Sequence, residues 1–134
     1  MSNPILRSTL LILTIAMAGC QSMNEFQRRE LAWQSLHAVD IAQTMKAARD
    51  PCYVEQAWLT QKMIGEQPSD GEVLAWGVGS AALHYLVSKA LEKTDAPAWV
   101  QKVWSYGSIS YTGFTVADNY NNGIRLMKDN KYGC

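Results

Sequence analysis

Between Glu72 and Lys89 the chain runs sixteen residues, Val73 to Ser88, without an Asp, Glu, Lys or Arg. Such a run has to be a largely buried helix or strand, because this much apolar surface facing water would be unfavourable. Its start is marked: Ser69 is followed three residues later by Glu72, the capping-box spacing in which each side chain satisfies an orphan N–H of the first turn. The segment is therefore expected to be a helix starting at about Ser69. At helical spacing Gly77, Ser80, Ala81, His84 and Ser88 share a narrow small-residue face, while Trp76, Leu83, Leu86 and Val87 project elsewhere. A small-residue face admits a neighbouring helix closely.

The flanking segments read the same way. From about Asn24 to Arg49 the chain lacks Gly and Pro, is rich in good helix formers, and stops before Asp50-Pro51. Leu31, Ala38, Ala42 and Met45 make an apolar stripe on it, and Trp33, His37, Asp40 and Thr44 fall together on a second face. Asp95-Ala96-Pro97 suggests an N-cap with Pro near the start of a third helix running through Val103 to Ala117. Asn119 to Gly123 supplies its stop, and Lys128 to Cys134 is a polar tail. The expected class is all-α, a small bundle of about three helices. Gly77, Gly79, Gly107 and Gly113 sit in the apolar segments as contact points for neighbouring helices.

Twelve basic and twelve acidic side chains cancel, with a pI near 6.7. A nucleic-acid binder normally gathers a basic excess on one face, so nucleic acid is excluded as a partner.

The first twenty residues read as an address. Arg7 is the only charge before position 25, and an apolar run from Leu10 to Met17 ends in Ala18-Gly19-Cys20. The stretch from Ser8 to Gly19 would be about 18 Å long as a helix, short of the roughly 30 Å hydrocarbon layer, so residues 1–19 are expected to be a cleaved signal peptide. Met17-Ala18-Gly19-Cys20 resembles the lipobox of bacterial lipoproteins. The resemblance implies diacylglycerol on Cys20, a mature helical domain over residues 20–134, and a partner in the membrane reached through N-terminal lipid. It also implies the cell envelope, facing the periplasm; Gln21-Ser22 in place of an Asp after the Cys leans towards the outer membrane. Cys52 and Cys134 then remain, either as a disulfide of an oxidising compartment or as two lone thiols.

As helices, residues 73–88 and 103–117 would be about 24 and 22 Å long, which favours a bundle in water over full bilayer crossings. Trp76, Trp99 and Trp104 instead suit an interfacial belt. Asp40-Ile41-Ala42-Gln43-Thr44, Tyr53-Val54-Glu55, Gly65 to Ser69, His84 and Asn119 to Gly123 resemble motifs of a group of short uncharacterised helical proteins of bacteria and their phages, mostly predicted to be membrane proteins. The group's Asn-Pro after the Glu is Gln56-Ala57 in this chain. The resemblance implies a helical protein at or in a membrane, with its polar motif residues gathered in one site.

The polar candidates for chemistry are His37, Asp40, Thr44, Glu55, His84 and Asp118. With polar faces inward, His37 and Asp40 lie one turn apart and His84 completes a cluster able to pass a proton or hold a metal; water-facing or packing roles are the alternative. No Gly-x-Ser-x-Gly, Ser-x-x-Lys or His-Glu-x-x-His motif and no phosphate-binding glycine loop occurs, so neither a catalytic residue nor a cofactor is expected. Cys52 beside Asp50 is a poor nucleophile, since a neighbouring carboxylate raises a thiol pKa. The sequence thus points to a lipid-anchored envelope protein with a binding or scaffolding role, with a protein of the envelope as the partner it would engage. A polytopic intramembrane protein with an Asp40 and His84 ion- or ligand-binding pair is the alternative, and a metal-dependent enzyme a third reading.

Overall fold

The computed structural model describes residues 23–127. The leader with Cys20 and the tail with Cys134 lie outside the described residues. Four helices and no strands occur among those described: α1 (Glu25–Ala48), α2 (Trp58–Ile64), α3 (Asp70–Lys93) and α4 (Ala98–Asn121). The class is the expected small all-α bundle.

Local chemistry fixes most of the ends. Asn24 Oδ1 accepts from Gln27 N at 2.8 Å, and Gln27 Oε1 accepts from Asn24 N at 3.2 Å, a capping box that opens α1. Ser69 and Glu72 form the expected box at the start of α3. The start of α4 differs from expectation. Pro97, not Asp95, is its N-cap, and no side chain caps it; Asp95 instead takes a left-handed φ of 48° that turns the chain between α3 and α4. Gly123, with φ 96°, lets the chain leave α4 and return Ile124 N to Asn119 O at 2.9 Å. The short α2 is not foreseen by the pattern: it lacks a side-chain cap and buries no residue.

Helix α1 is the centre of the bundle. Asn24 and Gln27 bond Glu92, and Arg49 pairs with Asp70, so α3 runs antiparallel to α1. Trp33 meets Thr112 and Asp40 meets Asn119, so α4 runs parallel to it.

The interior inverts the usual distribution. Buried apolar residues are Phe26, Trp33, Val73 and Ile124, and buried polar ones are His37, Gln43, His84, Ser88, Ser105 and Thr112. The charge-free run of α3 is accordingly not the largely buried segment expected. Its small and polar face, from Val73 and Gly77 to His84 and Ser88, turns to α1, while Leu74, Val78, Leu83 and Leu86 are exposed. The physical reason is close approach. A Cβ on Gly77 would lie 2.9 Å from Ile41 Cγ1, so the helix face with least bulk is the one that packs. On α1 the apolar stripe is likewise turned partly outward, with Leu31 and Ala38 exposed and Trp33 and His37 buried. Two of the four glycines make no helix contact: a Cβ on Gly79 or Gly107 would meet open space, whereas one on Gly113 would touch Leu36.

Candidate functional site

The inward faces carry two polar clusters, one near the middle of the bundle and one towards the C-terminal ends of α1 and α4. The first is a stack of four rings. His37 lies 4.7 Å from Trp33, Trp33 lies 3.5 Å from His84, and His84 lies 4.5 Å from Trp104, measured between ring centres. The interplanar angles of 9°, 9° and 25° make these stacked faces of one column drawn from α1, α3 and α4. Trp33 Nε1 donates to Thr112 Oγ1 at 3.0 Å, tying the column to α4.

Glu30 is the hub beneath the column. Its carboxylate accepts from Gln34 Nε2 at 2.8 Å and from Ser88 Oγ at 2.5 Å, and Ser88 Oγ in turn accepts from Trp104 Nε1 at 2.9 Å. His84 Nδ1 lies 2.9 Å from Glu30 Oε2, so Nδ1 carries the proton. Nε2 of the same ring is buried with no partner. Burial lowers the His84 pKa below its ordinary value, and the Glu30 carboxylate works against that shift. A neutral ring with an Nδ1 proton meets both conditions, since an orphan lone pair costs less than an orphan charged donor. On the other side of Trp33, His37 Nε2 lies 3.1 Å from Gly77 O and 2.9 Å from Ser80 Oγ. A carbonyl only accepts, so Nε2–H is the donor there.

The second cluster surrounds Asp40. Asn119 Nδ2 donates to Asp40 Oδ1 at 3.1 Å and to Gln43 Oε1 at 3.3 Å, and Gln43 Nε2 reaches Val116 O and Ile124 O at 3.3 and 3.4 Å. Burial pushes the Asp40 carboxyl up to about 6, and the negative charge of Glu55 adds to the shift while the Asn119 bond opposes it. Asn119 also lines a cavity of about 530 Å³ whose wall includes Thr44, Glu55, Asp118, Tyr111 and Phe114. Glu55 is held at the rim by Ala57 N, which donates to its Oε1 at 2.8 Å.

The sequence-derived candidates thus divide. His37 and His84 join through Trp33. Thr44, Glu55 and Asp118 line the cavity, and Asp40 sits behind it against Asn119. No hydrogen bond or ion pair joins Asp40 to His84. Among the described residues no group of three His, Cys, Asp or Glu side chains is placed to hold a metal ion. Cys52 is disulfide-bonded and so offers no thiolate; no other cysteine lies among the described residues. Trp104, expected to suit an interfacial belt, stacks inside instead, whereas Trp99 is exposed.

No family model, curated protein or solved structure matches this chain.

One functional-looking residue escapes the sequence reading, and a second enters it only through the motif resemblance. Glu30 sits three residues before Trp33 and seven before His37, the spacing that places all three on one helix face, but it reads as one charge among several near the helix start. Asn119 reads as part of a helix stop and of the resembling motifs, and its side chain links the Asp40 cluster to the cavity.

Proposed function

We propose that this chain is a lipid-anchored protein of the bacterial cell envelope, facing the periplasm, that works by binding or scaffolding at the membrane and not by catalysis. The observation that carries the reading is the inverted bundle: polar side chains are engaged with one another inside, and apolar ones are presented outside. A catalyst needs a reactive group that a substrate can reach. Here the imidazoles and the Glu30 carboxylate are committed to a stacked, hydrogen-bonded column, while the exposed surface offers Leu, Val, Tyr and Phe for contact.

Met17-Ala18-Gly19-Cys20 supports the anchor, and Gln21-Ser22 after it supports the outer membrane. One acyl chain binds a membrane only marginally, whereas the two or three of a lipoprotein hold it durably.

Metabolic labelling with an alkynyl palmitate analogue tests the anchor. The wild type is expected to take up label and Cys20→Ala to take up none; equal labelling of the two overturns the reading.

A further inference from the structure

Three charge-free stretches lie side by side in this bundle. Residues 73–88 of α3 and 103–117 of α4 carry no Asp, Glu, Lys or Arg, and residues 31–45 of α1 carry only Asp40, which is turned inward onto Asn119. They share one end, where Ser88, Glu30 and Trp104 meet through hydrogen bonds. Outward from this band point Leu74, Val78, Leu83 and Leu86 of α3, Val103, Tyr106 and Phe114 of α4, and Leu31 of α1.

We propose that the bundle seats this belt in the acyl region of the membrane that carries its lipid anchor. The proposal rests on the anchored reading above and adds where the folded part sits. Two observations choose lipid as the occupant. Cys20 precedes Asn24, the cap of α1, by four positions, so at most about 14 Å of extended chain separates the acyl chains from the start of the bundle. At that same end Arg28, Lys93 and Lys102 are exposed beside Glu25 and Asp95, and the long basic stems can reach the lipid headgroups. The apolar residues also point outward from all three long helices, whereas a second copy in a two-fold pair would cover one side.

Among the described residues no helix is long and apolar enough to cross a membrane. Each long helix mixes its polar residues into its apolar ones, and only packing turns them inward. The belt, about 24 Å along α3, is shorter than the roughly 30 Å hydrocarbon layer. It is therefore the assembled bundle, not any single helix, that presents a surface compatible with lipid, and the lysine and arginine stems take up the remaining depth.

The test uses the full chain with Cys20→Ser behind a cleavable secretory leader, so that no acyl chain holds it. After carbonate washing of the membranes the protein is expected to stay in the pellet. Adding Val78→Lys and Phe114→Lys, both at outward positions, is expected to shift it to the supernatant with the helical circular dichroism retained. Release of the Cys20→Ser protein itself overturns the proposal, and a released dimer in sedimentation would assign the belt to a second copy. An independent measurement reconstitutes the lipidated wild type into phosphatidylcholine vesicles brominated along the acyl chains. Tryptophan fluorescence is expected to fall relative to unbrominated vesicles, and equal intensity in the two overturns the proposal. Neither readout bears on palmitate labelling of Cys20, so the anchor and the seating fail separately.

Discussion

The imidazole of His84 on α3 lies face to face with the indole of Trp33 on α1, ring centres 3.5 Å apart and planes 9° from parallel. Because Trp104 covers its other face at 4.5 Å, the ring is enclosed by two indoles and can reach only Glu30 through Nδ1. A polar ring is thus used as a core residue, and its charge state becomes part of the bundle's stability.

Burial holds the His84 pKa below the ordinary 6.5, so the unfolded chain takes up the proton first as pH falls. The His84 contribution is therefore present above about pH 6.5 and lost progressively below it. His84→Phe keeps a ring in the column and removes the titration, at the cost of one Glu30 bond worth about 1–2 kcal/mol. Denaturant midpoints measured from neutral to mildly acid pH should fall less steeply for this variant than for the wild type. An unchanged slope would contradict the assignment.

Asp40 acts in the opposite sense. Its folded pKa of about 6 lies above the ordinary 3.8, so ionisation penalises the fold at neutral pH, and stability is regained as pH falls from about 6 towards 3.8. In a partly enclosed site the penalty amounts to about 2 kcal/mol. Asp40→Asn keeps an acceptor for Asn119 and should raise unfolding stability at pH 7 by about that amount. It should also steepen the acid loss attributed to His84, since the compensating gain is gone.

Trp33 adds a hydrogen bond to its stacking. Trp33→Phe retains an aromatic ring between His37 and His84 but deprives Thr112 of its donor, and a loss of about 1–2 kcal/mol is expected. Trp33→Ala removes the ring as well and is expected to cost about 3–5 kcal/mol. Urea unfolding followed by circular dichroism separates the two.

Local signals and the small-residue packing face of α3 were legible, and the exposure of the apolar residues beside it was not. The Ser69–Glu72 box and the Gly123 stop act within a few residues, so their chemistry is written in adjacent letters. Which face of α3 turns inward depends on what α1 offers opposite it. Leucine and valine on α3 suggest a conventional core, and the decision goes instead to the face whose Gly77 and Ser80 let α1 approach within contact of Ile41 and His37. Glu30 becomes a hub only because Ser88 and His84 arrive from more than fifty residues away. The helix α2 lacks a side-chain cap at its start and a buried residue that could announce it.

Gly77 and Gly79 are two residues apart on one helix and should respond oppositely to the same change. A Cβ at position 77 meets three Ile41 side-chain carbons at 2.9–3.0 Å, and one at position 79 meets nothing within 4 Å. Gly79→Ala should stabilise by about 0.5–1 kcal/mol through backbone entropy. Gly77→Ala gains the same term but forces α1 and α3 apart, at about 1–3 kcal/mol. Ile41→Ala removes the obstructing carbons, so the double variant Gly77→Ala with Ile41→Ala should be more stable than the sum of the single effects. Additivity in that cycle would mean that the close approach is not what fixes the packing.

The disulfide at Cys52 connects the fold to the anchor by exclusion. The sequence holds two other cysteines, Cys20 and Cys134, both outside the described residues. A sulfur already in a thioether to diacylglycerol has no thiol to oxidise, so the anchored reading predicts that Cys52 pairs with Cys134. Alkylation of the unreduced mature protein should leave Cys52 unlabelled in the wild type and in Cys20→Ser, and label it in Cys134→Ser. The bond would close a loop of about 80 residues, so Cys134→Ser should also lose roughly 4 kcal/mol of stability in the chain-entropy account. If Cys20→Ser frees the Cys52 thiol instead, position 20 carries a disulfide and not a lipid, and the membrane is reached by some other route.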